Sequence, residues 1–217
     1  MKPMELGVSK DYQKCPEGQF ISRLCGIIDI GTQEVVFDGI PSKKPQIYLQ
    51  FEVFAEDEDG KAVLDNEGRP YLIGETFTAK MSTKGNLLAF VNSWRGKPLE
   101  EKDFPFDFKR MLGRYGMMTV THNASKKDPS KIYANINGIS PVPKKLAQAP
   151  DGTSILPTPV AEDFFIDLDD PDFERMNGLI YTRTWEAMQK KITSSPEYKL
   201  RLGGKPGAEV PVDEIPF

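Results

Sequence analysis

The last five residues, Asp213 to Phe217, combine groups that suit capture by another protein. Pro216 limits the backbone freedom that docking has to remove. Phe217 supplies a flat apolar anchor, and an arginine can clamp its terminal carboxylate. Asp213 and Glu214 add charge that steers the segment toward a basic pocket. We therefore predict a partner-binding tip formed by Asp213, Glu214, Ile215, Pro216 and Phe217.

The body of the chain carries the two residue types that bind single-stranded nucleic acid, because unpaired bases stack on aromatic rings and phosphates attract cations. The predicted stacking residues are Tyr48, Phe54, Trp94 and Tyr133, and core packing is the alternative for each ring. The cations predicted to line the same groove are Lys43, Lys44, Lys80, Lys84, Arg95, Lys97, Lys109, Arg110, Arg114, Lys126, Lys127 and Lys131. Each lysine taken singly reads as a solvated surface residue, so the prediction rests on their clustering.

The charge of the chain is divided between a basic body and an acidic C-terminal part. The whole chain has a net charge of −4, but residues 68–145 carry 14 Lys or Arg and 6 Asp or Glu, a net charge of +8. Residues 146–217 carry 7 Lys or Arg and 13 Asp or Glu, a net charge of −6. A phosphate backbone responds to local charge. The basic body therefore suits nucleic acid even though the whole chain is acidic.

The sequence offers little for catalysis or metal binding. It lacks a Gly-Lys-Ser/Thr phosphate loop, a G-x-G-x-x-G motif and a nucleophile elbow. His122 is the sole histidine, and we predict free thiols at Cys15 and Cys25, so a zinc site is not expected. A metal or nuclease site remains conceivable only at Asp163, Asp167, Asp169, Asp170 and Asp172, but their spacing departs from the calcium-loop pattern. We predict a protein that is not an enzyme and has no cofactor.

Alternation of apolar and polar residues predicts five strands. It is clearest in Ile47–Phe54, where Ile47, Leu49, Phe51 and Val53 share the core face. Phe20–Ile30 is a longer strand in which Gly26 favours a bulge or sharp bend. The other predicted strands are Thr76–Met81, Gly116–His122 and Lys131–Ile139, and an acidic loop or hairpin over 56–68 separates the second strand from the third.

A helix is predicted over Leu87–Trp94 and ends at Gly96, because Leu87, Phe90, Val91 and Trp94 have helical spacing. It falls between the third and fourth strands. That order is the one a five-stranded OB-fold barrel with an inserted helix requires. A β-sandwich is the alternative, because five short strands alone do not determine whether the sheet closes.

The C-terminal part is predicted to lie outside that barrel. Ten of the 18 prolines follow residue 140, which favours a linker. We predict an OB-fold DNA-binding domain over 1–145, a proline-rich and acidic linker over 146–173, a helical segment over 174–202 and a flexible acidic tail over 203–217. One helix is predicted over 174–193, with an apolar stripe of Met176, Leu179, Ile180, Thr184, Ala187, Met188 and Ile192.

Two parts of the chain resemble known families. Asp213 to Phe217 closely resembles the acidic tip of bacterial single-stranded DNA-binding proteins. The body, Gln19 to Lys145, resembles the small OB-fold single-stranded DNA-binding proteins of bacteriophages, through Phe77-Thr78-Ala79-Lys80, Trp94-Arg95-Gly96, Leu112-Gly113-Arg114 and Tyr133-Ala134-Asn135-Ile136. The acidic hairpin and the helix before the tip depart from the bacterial pattern, so we expect a monomer or homodimer rather than a homotetramer.

These resemblances imply a protein that coats single-stranded DNA during phage replication, recombination or repair and recruits partner enzymes through its tip. The chain has no run of 18 apolar residues and no signal-peptide pattern, so we expect it in the cytoplasm of an infected bacterial host. The first alternative is an interaction protein that occupies a host replication or repair factor without binding DNA. The second is an RNA-binding OB module, which would respond to the 2′-hydroxyl.

Overall fold

The fold is mainly β with short helices added, in a computed structural model that describes residues 13–37, 39–125 and 128–203. The strands are β1 (Gly18–Phe37), β2 (Ile40–Glu56), β3 (Ala62–Val63), β4 (Tyr71–Thr78), β5 (Tyr115–Ala124), β6 (Ile132–Ser140) and β7 (Phe164–Ile166). The helices are α1 (Asn86–Arg95), α2 (Lys144–Ala147), α3 (Phe173–Arg183), α4 (Glu186–Ser194) and α5 (Pro196–Arg201). Two 3₁₀ turns, Glu101–Asp103 and Phe108–Met111, lie between α1 and β5. The predicted β-rich class is confirmed.

The strands form one sheet in the order β3-β2-β1-β5-β6, with β4 paired to β2 and β7 paired in parallel to β1. The remaining pairs are antiparallel. β4 and β6 approach each other, but no ladder joins them within the described ranges. The sheet is therefore open, and the predicted closure into a barrel is not confirmed.

The first core lies on one face of β2. Ile47, Leu49, Phe51 and Val53 are all buried there, which confirms the predicted core face. α1 packs Leu87, Val91 and Trp94 into the same core and ends at Gly96, whose φ of 70° is the left-handed conformation that terminates many helices. The predicted helix is confirmed. The third predicted strand is displaced, because β4 begins at Tyr71 and ends at Thr78.

β1 bends where its register with β2 shifts, between Leu24 and Gly26 and again between Asp29 and Gly31. The predicted irregularity at Gly26 is confirmed. A Cβ built on Gly26 would lie 2.5 Å from Cζ of Phe164, so glycine makes room for the ring that β7 brings to this point. Beyond Gly31 the two long strands continue as a two-stranded arm.

The second core lies between β1 and the C-terminal elements. Its buried members are Ile28, Ile30, Phe164, Ile166, Leu168, Met176, Ile180, Met188, Ile192 and Tyr198. The predicted linker over 146–173 is therefore wrong at 164–168, where the alternating residues Phe164 and Ile166 form β7 within an acidic stretch. The predicted single helix is two helices, α3 and α4, separated at Thr184–Trp185. We call β7, α3, α4 and α5 the C-terminal layer.

A buried ionic network fastens the C-terminal layer to the sheet. Arg23 on β1 donates from Nε to Glu52 on β2 at 3.2 Å and also donates to Asp163 and to the carbonyl of Ala161. The other oxygen of Glu52 accepts the backbone N–H groups of Val160 (2.9 Å) and Ala161 (2.8 Å). Burial by itself would lower the pKa of Arg23, but the hydrogen bonds and charges of Asp163 and Glu52 raise it above its usual value. The network keeps the chain entering β7 against the outer face of β1 and β2.

Within the described ranges, no helix is both long enough and apolar enough to span a membrane.

Candidate nucleic-acid interface

Tyr48 lies on the face of β2 opposite the first core. Its ring extends over Gly74 of the neighbouring strand β4, where a Cβ would overlap the end of the tyrosine ring. The ring also packs edge-on against Trp185, with 5.3 Å between ring centroids. Tyr48 is half-buried, so the C-terminal layer covers part of the surface that the sequence predicts to be open to DNA.

The register of β2 and β4 places polar and cationic residues beside Tyr48. Tyr48 is opposite Thr76, and Gln46 is opposite Thr78, so these four residues share one face of the sheet. The N–H of Ala79 donates to the carbonyl of Pro45 at 2.8 Å, which holds the chain at Lys80 beside the start of the β2–β4 ladder. We define the β2–β4 strip as Lys44, Gln46, Tyr48, Thr76, Thr78 and Lys80.

The strip has the chemistry that a single strand needs. Its aromatic ring can stack on a base, its two lysines can neutralise phosphates, and its hydroxyl and amide groups can hydrogen-bond to either. Thr76, Thr78 and Lys80 are exposed and Lys44 is half-buried. Lys84 is exposed in the turn that follows Lys80, and Lys43 points to the other side of the arm, 4.0 Å from Glu34.

Helix α4 runs alongside the strip. Trp185 directly precedes the helix and contacts Tyr48. Near the other end of α4, the carbonyl of Lys191 accepts a 3.0 Å hydrogen bond from the side chain of Gln33, which is the β1 partner of Lys44. The C-terminal layer is therefore a wall of the candidate interface rather than a separate module.

Phe54 and a second group of cations lie farther along the sheet. Phe54 is half-buried and stacks on Tyr115 with 6.2 Å between centroids. Lys109 lies 4.5 Å from the ring centroid of Phe165. Arg110 pairs with Asp107 at 3.7 Å, and Arg114 donates to the carbonyl of Arg110. The ionic network of Arg23 and Glu52 lies between this group and the strip, because Glu52 precedes Phe54 on the same face of β2.

Trp94 is placed in the core, so its ring is not available for base stacking. It is 4% exposed, packs against Phe51 and Phe90, and donates its indole N–H to the carbonyl of Tyr115 at 2.9 Å. The helical spacing from Leu87 and Val91 turns it inward, whereas the two cations that follow it suggested a surface position. Of those two, Arg95 pairs with Asp103 at 3.4 Å and Lys97 is exposed.

The remaining predicted residues are not joined to the strip. Tyr133 is 53% exposed on β6, which pairs with β5 and, among the described residues, with neither β2 nor β4. Lys131 precedes it and pairs with Asp128 at 3.5 Å. Lys126 and Lys127 lie outside the described residues, and so does the predicted tip, Asp213 to Phe217.

An acidic cleft of about 1000 Å³ borders the sheet on the side of the acidic hairpin. Its carboxylates come from Glu52, Asp65, Glu67 and Glu162, and Arg69 and Arg183 each pair with one or more of them. With four carboxylates and two arginines, both arginines paired, this cleft lacks the excess of cations that the strip offers to phosphate.

The aspartates considered for a metal site serve structural contacts instead. Asp170 pairs with Arg175, Asp163 pairs with Arg23, and Asp172 caps α3 by accepting the N–H of Arg175 at 3.0 Å. Asp167 accepts the N–H of Asp169 at 3.0 Å. In the part of the chain that the structure describes, no group of three or more His, Cys, Asp or Glu residues is arranged to hold a metal ion.

Sequence reasoning missed Gln46, Thr76, Thr78 and Trp185. The two threonines belong to the surface because β4 pairs with β2 in a register that no local pattern records. Trp185 carries one local signal, because it is not part of the predicted apolar stripe although it directly follows Thr184, which is.

Comparison of the chain with models of known protein families and with curated proteins finds no match. Its activity is therefore inferred from the chemistry of the interface itself.

Proposed function

We propose that the protein binds single-stranded DNA with little sequence preference and is not an enzyme. The observation that carries this proposal is the β2–β4 strip, in which Tyr48 pairs with Thr76, and Lys44 on β2 and Lys80 just past β4 lie farther along the same two strands. Stacking on an aromatic ring tolerates every base, and lysines read only the phosphate backbone. Such a surface binds single strands without reading their sequence.

The proposal includes an OB fold that is open along one seam. The five principal strands are, in chain order, β1, β2, β4, β5 and β6. β4 pairs with β2, β2 with β1, β1 with β5, and β5 with β6. Helix α1 lies between the third and fourth. OB folds are partly open Greek-key barrels that bind oligonucleotides on their second and third strands. The strip lies on the two strands in those positions.

In this proposal the protein coats single-stranded DNA during phage replication, recombination or repair in the cytoplasm of the host, as a monomer or homodimer. Its tip, Asp213 to Phe217, recruits the enzymes that act on the coated strand. The sequence supports this role through the tip's apolar anchor and flanking carboxylates.

The test is a binding titration of labelled oligo-dT, followed by anisotropy at two salt concentrations. We expect the affinity to fall steeply with salt, by about 0.7 in log affinity per unit of log salt for each phosphate contact. Duplex DNA and a matched RNA oligomer serve as competitors. Equal affinity for duplex and single strand would overturn the proposal, tighter binding of RNA would favour an RNA-binding module, and no binding at all would favour a protein-interaction role.

A further inference from the structure

Trp185 is a large aromatic residue with a surface free for a ligand. It is 47% exposed, although its ring also contacts Tyr48. The sequence contains two tryptophans, and Trp94 is buried in the first core. A single exposed aromatic residue is common on protein surfaces, so the position of Trp185 has to carry the argument.

That position is at the end of the β2–β4 strip. Trp185 packs edge-on against Tyr48, and Tyr48 is opposite the exposed Thr76. The ring therefore adjoins Tyr48, which shares the strip with Lys44 and Lys80. Successive aromatic rings beside cations are the arrangement on which successive bases of a single strand stack.

The backbone at Trp185 is anchored to the second core through helix α4. Met188 and Ile192, on the helix that Trp185 precedes, are buried in that core. The backbone of Trp185 also begins α4, since its carbonyl accepts the N–H groups of Met188 (2.8 Å) and Gln189 (3.0 Å). A ring that is carried on an anchored backbone and packs against Tyr48 has less conformational freedom to lose when a ligand binds.

We propose that Trp185 is a base-stacking residue, and that one nucleobase of bound single-stranded DNA lies on its exposed surface next to the base held at Tyr48. The inference rests on the proposed function and deepens it, because it makes the C-terminal layer part of the DNA site. The DNA-binding unit then extends well beyond the sheet, at least to the end of α4 at Ser194.

Intrinsic fluorescence isolates Trp185 in the full-length protein, with binding followed independently by the anisotropy of labelled oligo-dT. We expect oligo-dT to quench part of the tryptophan emission of the native protein. In the Trp185→Phe variant, whose emission comes from the buried Trp94, the oligonucleotide should bind without that quenching. The measurement therefore reports on the ring itself as well as on affinity.

Two substitutions separate stacking from mere coverage of Tyr48. Trp185→Phe retains an aromatic ring, whereas Trp185→Leu retains apolar bulk against Tyr48 without one. We expect Trp185→Leu to weaken oligo-dT binding by about 5- to 150-fold, the range for loss of one stacking ring, and Trp185→Phe to weaken it much less. If both variants have the melting temperature of the native protein, the second core is intact in each.

The outcomes distinguish this inference from the function on which it rests. If the native protein binds oligo-dT while its emission is unchanged, and the Leu and Phe variants bind equally well, Trp185 does not stack on DNA and the proposed function stands. If the native protein does not bind oligo-dT at all, the proposed function fails and this inference fails with it.

Discussion

At the scale of single residues, Lys44 on β2 and Lys80, which follows β4, belong to the same strip. If both neutralise phosphates, replacing them with alanine should weaken oligo-dT binding and make it less sensitive to salt. The slope of log affinity against log salt should fall by about 0.7 for each lysine removed. Anisotropy titrations at several salt concentrations measure this slope.

Lys102 provides the matched control for those lysines, because it is exposed on a 3₁₀ turn and pairs with Glu100. Lys102→Ala should leave both the affinity and the slope unchanged. If Lys102→Ala lowers the slope of log affinity against log salt as much as a Lys44 or Lys80 replacement does, the whole basic body rather than the strip contacts the DNA backbone.

Glu75 on β4 is a half-buried carboxyl group whose pKa is raised by burial. The folded state therefore holds its proton more tightly than the unfolded state does, and ionisation at neutral pH lowers the free energy of unfolding. Glu75→Gln should raise the melting temperature at pH 7 and have little effect near pH 3, where the carboxyl is protonated in both states. Scans of the exposed Glu58→Gln variant at both pH values give the control. If Glu75→Gln raises the melting temperature by the same amount at both pH values, the effect does not come from ionisation of Glu75.

At the scale of elements, the contact between β1 and β7 depends on the absence of a side chain at Gly26. A Cβ there would lie 2.5 Å from Phe164 and 3.1 Å from Cβ of Gln50. We expect Gly26→Ala to lower the free energy of unfolding by about 1–3 kcal/mol, as overpacking of a core does. Gly138→Ala on β6 is the control, because a Cβ there meets nothing within 4 Å. Urea unfolding measures the free energy of unfolding of both variants. If Gly26→Ala is as stable as Gly138→Ala, the Phe164 ring moves aside without cost.

The ionic network of Glu52 sets how firmly the C-terminal layer is held. Glu52→Ala would leave the N–H groups of Val160 and Ala161 without their acceptor and Arg23 with one carboxylate fewer. Removing one partner from a buried ion pair costs about 3–5 kcal/mol. We expect lower stability together with faster proteolysis of residues 141–163, the segment that enters β7.

Exposed Glu67 is the control for Glu52, because its pairing with Arg69 takes place at the surface. Glu67→Ala should change neither stability nor proteolysis by a measurable amount. If Glu52→Ala is destabilised but is cleaved at the native rate, the network supports the sheet rather than the attachment of the C-terminal layer.

At the scale of the whole molecule, the predicted acidic tail, residues 203–217, follows a C-terminal layer that packs on the sheet. If the proposed function holds, we expect the carboxylates of this tail to have a high effective concentration near the cations and to compete weakly with DNA. Deletion of Asp213 to Phe217 should leave oligo-dT affinity equal or slightly tighter at low salt and abolish recruitment of partner enzymes. Anisotropy and pull-down of partner enzymes measure the two activities separately. A truncated protein that still recruits the same partners would remove the tip from the mechanism.

Local patterns were sufficient for the inward face of β2 and for helix α1, but not for the bounds of β4, for β7 or for the division of α3 from α4. The two-residue period of 47–54 and the helical spacing of Leu87, Val91 and Trp94 are both confirmed by burial. These features depend on neighbours in the chain, which is why they can be read without a structure. The division of charge is likewise a property of composition alone.

The identity of the exposed rings was settled by packing between distant segments. Trp94 and Trp185 both follow apolar helical patterns. Helix α1 buries Trp94 against the sheet, whereas Trp185 lies at the break between α3 and α4 and is half exposed to solvent. Tyr48 has the predicted parity, but residues more than 130 positions away cover part of its face. Hydrophobic burial is non-directional and depends on which surfaces meet, so the outer face of a strand acquires its role only when the rest of the chain has folded against it.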